Sequence, residues 1–223
     1  MAIDRRGFLK SSAAGLAVAT AGCALPHPGA DAKPRGESAF RHGVASGDPL
    51  SDRVILWTRV SPESDALGAS IAISWWVARD EAGSDIAGEG EATAVADRDY
   101  TIKIDVDGLV AGEAYYYGFR VDGTGDRSPT GRTRTLPPLG VERVRLAFAS
   151  CANYPAGFFN GYAHLATRDD LDAVLHLGDY IYEYANGQYG DGTELGRIPD
   201  PDRETVSLED YRRRHANYKA DPD

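Results

Sequence analysis

Three side chains in the second half of the sequence have types that could hold metal ions: Cys151, Asp179 and Tyr182. Gly178-Asp179-Tyr180-Ile181-Tyr182 places a carboxylate directly after an apolar run and a phenol three residues further on. The glycine lets the backbone turn sharply at that point. A carboxylate at such a turn can bridge two cations. A phenolate is a hard anionic donor that suits a highly charged ion such as ferric iron, and a cysteine supplies a thiolate, which a metal deprotonates outright. Read in isolation, the same residues fit a turn carboxylate beside a core aromatic, and a small buried hydrophobe at Cys151. His176 reads as a packed strand residue, and His164 and His215 as packed or solvated helix positions, because a histidine ligand needs convergent partners.

The elements around these residues decide whether they can meet. Val144 to Ala149 reads as a strand running into Ser150-Cys151. Phe158 to Arg168 fits a helix with Phe158, Tyr162 and Leu165 near one face. Leu171 to Leu177 is a second strand, ending at Gly178-Asp179. A β-α-β unit makes the strands parallel, and in such sheets the carboxyl ends of the strands carry the site. Cys151 and Asp179 are therefore expected on one rim. A loop from Asn186 to Arg203 and a polar helix from Val206 to Tyr218 follow. Two parallel strands do not make a stable sheet, so the sequence reads as the N-terminal part of a longer protein.

Residues 40 to 137 read as a β-sandwich. Val54 to Val60, Ile71 to Val77 and Tyr100 to Val106 are rich in β-formers, and the last alternates with Tyr100, Ile102, Ile104 and Val106 on one face. Leu109, a turn, and then Tyr115 at the head of an aromatic strand resemble the tyrosine corner of sandwich domains. Arg132 to Thr135 closes the block. Turns are expected at Gly83, Gly88, Gly108 and Gly123-Thr124-Gly125. Trp57, Trp75, Trp76, Tyr115, Tyr116 and Tyr117 are expected in the sandwich core rather than on a carbohydrate platform.

Composition narrows the functions. Lys plus Arg is 24 against 34 Asp plus Glu, a formal charge of −10, which argues against a nucleic-acid backbone or a cationic membrane-surface role. No apolar run reaches the ~18–20 residues of a membrane span, and two cysteines cannot make a disulfide framework. A cysteine-phosphatase loop needs an arginine where Gly157 stands. An Asp-Ser-Ala or Asp-Ser-Gly nucleophile is missing, and a zinc finger would need paired thiols.

The first residues read as an address. Arg5-Arg6-Gly7-Phe8-Leu9-Lys10, followed by a small-residue apolar run from Ser11 to Gly22, resembles a twin-arginine export signal. Cys23 after Ala21-Gly22 partly matches a lipobox, with Thr20 where leucine is usual. The Pro- and Gly-rich stretch from Leu25 to Glu37 reads as a tether. Periplasmic, extracellular or lipid-anchored residence is expected.

Three stretches together resemble the PhoD-type alkaline phosphatases: Phe40 to Pro49 with Val54 to Arg59, Phe148 to Tyr154, and His176 to Glu183. Tyr211-Arg212-Arg213-Arg214-His215 also resembles that family's approach to its next core strand. The resemblance implies a mixed fold: residues 1–36 as export signal and linker, 38–138 as a β-sandwich of the fibronectin III or immunoglobulin kind, and 143–223 as the start of an α/β metallophosphoesterase domain. It implies hydrolysis of phosphate mono- and diesters with ferric iron and calcium. In that reading Asp179 bridges metals while Tyr182 and Cys151 bind iron, and Tyr182 matches the tyrosine of the purple acid phosphatases. The remaining ligands would lie beyond residue 223, leaving this chain inactive alone. The implied partners are phosphate esters and the twin-arginine translocase, with a monomeric protein. The alternative is an exported sandwich that acts as a binding module, with a vestigial C-terminal stub.

Overall fold

The computed structural model describes residues 38–62 and 68–223. Arg5, Arg6 and Cys23, which carry the export and lipidation readings, lie outside the described residues. All described residues fall in one compact unit, Lys33–Asp223.

Seven antiparallel strands form the sandwich: β1 (Val44–Gly47), β2 (Val54–Arg59), β3 (Ile71–Ala78), β4 (Ile86–Ala94), β5 (Thr101–Val106), β6 (Ala114–Val121) and β7 (Gly131–Arg134). One sheet runs β1-β2-β5 and the other β4-β3-β6-β7. The two-residue alternation of β2 buries Val54, Leu56 and Thr58 and leaves Ile55, Trp57 and Arg59 half-buried on the other face. Across the ladder Val54, Leu56 and Thr58 meet Val106, Ile104 and Ile102. From the opposite sheet Ile73, Val77, Tyr115, Tyr117 and Phe119 close the core. Burying each of Leu56, Ile73 and Phe119 is worth about 1.5–3 kcal/mol. The tyrosine corner is present: the Tyr115 hydroxyl accepts from the Val110 N–H at 2.8 Å.

Two expectations need correction. Gly88 is not a turn but lies within β4, a strand whose Gly-, Ala- and Glu-rich sequence holds only Ile86 and Thr93 as β-formers. Its glycines serve packing: a Cβ at Gly90 would stand 2.7 Å from the Trp75 indole. The six aromatics are not all core either. Tyr115 and Tyr117 are buried and Trp75 packs against the core. Trp57, Trp76 and Tyr116 are half-buried, because neighbours along a strand point to opposite faces.

The second layer is a parallel pair, β8 (Leu146–Ala149) and β9 (Ala173–His176), with Ala149 level with His176. The helix between them, α1 (Asn160–Ala166), is shorter than its sequence suggests, has no side-chain cap, and leaves Phe158 exposed. Phe148, Val174 and Leu177 are exposed on the strands and their extensions. A long irregular segment leads to α2 (Leu208–Lys219), opened by a capping box between Ser207 and Asp210. Among the described residues no helix is long and apolar enough to cross a membrane.

The sandwich and the parallel layer are joined on two sides. Arg134 on β7 pairs with Asp172 at 3.1 Å, and Arg132 donates to the Asp169 carbonyl at 2.9 Å. On the other side Arg212 of α2 donates to the Asp97 carbonyl at 2.7 Å, and the Trp57 ring meets His215 edge-on.

Candidate metal centre

The parallel register carries past the strand ends. Leu177 N–H donates to Ala149 O at 2.8 Å, Cys151 N–H to Gly178 O at 3.2 Å and Ala152 N–H to Asp179 O at 2.9 Å. These bonds set Cys151 beside Gly178 and Ala152 beside Asp179, so Cys151 and Asp179 stand on one rim, as expected. Both then leave the strand direction through left-handed backbone, with φ of 61° at Cys151 and 52° at Asp179. Aspartate tolerates that region, whereas a cysteine there is held at a cost of about 1–3 kcal/mol.

The turned side chains converge. Cys151 Sγ lies 3.6 Å from Asp179 Oδ2, and the Tyr182 hydroxyl donates to the same oxygen at 3.0 Å. A thiol, a carboxylate and a phenol thus meet at one carboxylate oxygen. Loss of surrounding water, followed by the hydrogen bonds to Asp179 and Cys151, pushes the Tyr182 phenol well above its ordinary pKa. Its proton is held in the hydrogen bond to Asp179 Oδ2. Cys151 is a free, exposed thiol. Among the described residues no cluster of three or more His, Cys, Asp and Glu has metal-binding geometry; the third donor here is the phenol.

Neighbouring residues hold this arrangement. Tyr189 stacks on Tyr182 with centroids 5.4 Å apart, and Tyr184 follows on Tyr189. His176 is within 2.8 Å of the Tyr162 hydroxyl through Nε2, which agrees with a packed residue. Tyr180 lies between His176 and His215, with Lys219 Nζ 5.4 Å from its ring. His215 is half-buried, and burial followed by the Lys219 charge lowers its pKa, while His164 is exposed. Two clefts of about 830 and 870 Å³ occupy the joints with the sandwich and include none of the three donors. The donors sit instead on an open rim, so cleft size does not mark this site.

Sequence reasoning missed Arg214. It is fully buried and donates to the carbonyls of Tyr182, Tyr184, Asp200, Pro201 and Arg203. It stands in a run of arginines whose other members are more exposed, so composition could not single it out. The signal was its spacing, four residues ahead of Tyr218, which gives both side chains one helix face.

Comparison with known proteins gives a consistent pattern. A family model described as the N-terminal domain of PhoD-like phosphatases matches residues 23–137, and one described as PhoD-like phosphatase matches residues 146–223. Alkaline phosphatase D of Bacillus subtilis (strain 168) is 42% identical over 189 residues, covering 82% of this chain and 32% of that protein. A solved structure described as PhoD matches with a TM-score of 0.74 and 40% identity, covering 83% of this chain and 36% of the other. The chain therefore spans about a third of the length of each of these two relatives.

Proposed function

The chain belongs to the PhoD-like phosphatase family, and from that premise we propose that it supplies three metal ligands of an exported alkaline phosphatase hydrolysing phosphate monoesters and diesters. The observation that carries this reading is the convergence of the Cys151 thiol and the Tyr182 phenol on Asp179 Oδ2. We assign Tyr182 and Cys151 to ferric iron, and Asp179 to a bridge between iron and calcium. The donors fit those ions: phenolate and thiolate offer strong anionic ligation to the first, and a carboxylate oxygen can serve both. Bound there, the ions would polarise phosphoryl oxygens and lower the pKa of a coordinated water.

The chain's own work is to position and hold protons. Asp179 Oδ2 keeps the Tyr182 hydroxyl and the Cys151 thiol oriented toward one point. The Tyr182 O–H carries a proton that must leave when a cation takes its place. Arg5-Arg6 is proposed to route the folded protein through the twin-arginine translocase, with Cys23 as a lipid anchor at the cell surface. We expect a monomer. The binding-module alternative is less favoured, because the sandwich is fastened to the metal-bearing layer through Arg134–Asp172 on one side and Arg212 with Trp57 on the other.

The test compares the natural-length protein with Asp179→Asn and Tyr182→Phe by elemental analysis and by turnover of aryl phosphate mono- and diesters. The unaltered protein should contain iron and calcium. Each variant should lose iron and fall by more than the about 10- to 100-fold that outer-shell changes cost. Full activity in either variant would contradict the assignment.

A further inference from the structure

We propose that Tyr218 of α2 is a positioning residue that fixes the spacing of the two ligand-bearing loops; this rests on the metal-site reading above. Cys151 follows β8, whereas Asp179 and Tyr182 follow β9. The backbone ladder joins the two loops only as far as the bond from Ala152 N–H to Asp179 O. Beyond it both run into irregular chain.

There the Tyr218 hydroxyl accepts the Tyr154 N–H at 3.2 Å and the Tyr182 N–H at 3.3 Å. One buried oxygen thus ties the loop that carries Cys151 to the peptide of the tyrosine ligand. The ring is wedged against Tyr154 and Phe159, with centroids 5.4 and 5.8 Å away. One helical turn earlier, Arg214 takes the Tyr182 carbonyl. The Tyr182 peptide is therefore gripped on both sides by one face of α2. The capping box at Ser207 and the bond from Arg212 to Asp97 O anchor that helix. Both residues act on Tyr182 through its backbone, so their effect must pass through where Tyr182 is held.

The test uses Tyr218→Phe in the natural-length protein, which removes only the hydroxyl. The controls are Tyr211→Phe, at an exposed position on the same helix, and Ile73→Val, which weakens the distant sandwich core. Three quantities are read: amide exchange at Tyr154 and Tyr182 in chelator-treated protein, iron affinity by competition with a chelator, and kcat against KM. The tie predicts protection of both amides in the unaltered protein. It predicts about ten-fold or faster exchange at both in Tyr218→Phe and about 10- to 100-fold weaker iron binding. It also predicts a fall in kcat with KM within about two-fold, as for a group that sets geometry rather than ground-state binding. Unprotected amides in the unaltered protein would overturn the proposal without any variant. So would unchanged iron affinity in Tyr218→Phe, or an equal loss in Ile73→Val at matched stability. If the unaltered protein binds no metal, the underlying reading fails, a result seen with Tyr218 intact.

Discussion

At Asp179 a left-handed backbone and two donors on one carboxylate oxygen coincide. The Gly-Asp turn and the tyrosine three residues on were legible in the sequence, because they are local features; the left-handed backbone at Asp179 and the meeting with Cys151 at one oxygen were not. The positive φ at Cys151 was not legible either, since nothing in Ser150-Cys151-Ala152 asks for a left-handed residue. The structure adds His42, buried in the sandwich beside Arg59, whose Nη1 lies 2.8 Å from His42 Nε2. Burial, then the Arg59 and Arg41 charges, lowers its pKa from 6.5 to about 3, against a smaller opposing effect of Asp99. The folded protein keeps His42 neutral while the unfolded chain takes up a proton below pH 6.5. Stability is therefore lost as pH falls from 6.5 towards 3. In His42→Gln, urea unfolding between pH 7.5 and 5 should lose up to about 1.4 kcal/mol per pH unit of this slope, with the smaller slope from His215 remaining. An unchanged slope would place the titration elsewhere.

Among elements, the strands with β-branched and aromatic runs were readable and β4 was not. Its Ala, Gly and Glu residues have low β-propensity, and it is a strand because β3 pairs with it and Trp75 lies on Gly90. Gly90→Val should overpack that contact and cost about 1–3 kcal/mol, measured by thermal unfolding. The helix α2 lies within two residues of the Val206–Tyr218 read from the sequence, and the capping box of Ser207 with Asp210 sets its start. Ser207→Ala should cost about 1 kcal/mol. Because α2 carries Arg214 and Tyr218, chelator competition should show weaker iron binding in that variant as well. By contrast α1 was overestimated, because a pattern of three apolar residues says nothing about caps, and none is present.

Over the whole molecule, the sequence separated a sandwich from a parallel layer but not the way they are fastened. The fastening depends on residues far apart in the chain, Arg134 with Asp172, Arg212 with the Asp97 carbonyl, and Trp57 with His215; the charged ones look like ordinary surface residues and Trp57 like a core residue. The exposed ion pair contributes little, about 0–1 kcal/mol. The Trp57 side is more informative, because Lys219 Nζ lies 5.4 Å from both the Trp57 and Tyr180 rings, linking the sandwich to the residue after Asp179. Trp57→Ala should leave the sandwich folded by circular dichroism yet speed amide exchange along α2. Unchanged exchange there would mean that the sandwich does not brace the loops that carry Cys151, Asp179 and Tyr182.

The most direct measurement is iron-edge X-ray absorption on the natural-length protein and on its Cys151→Ser variant. The account predicts iron with one sulfur among its oxygen and nitrogen neighbours, and loss of that sulfur in the variant. Iron held by oxygen and nitrogen alone, unchanged by the substitution, would contradict it.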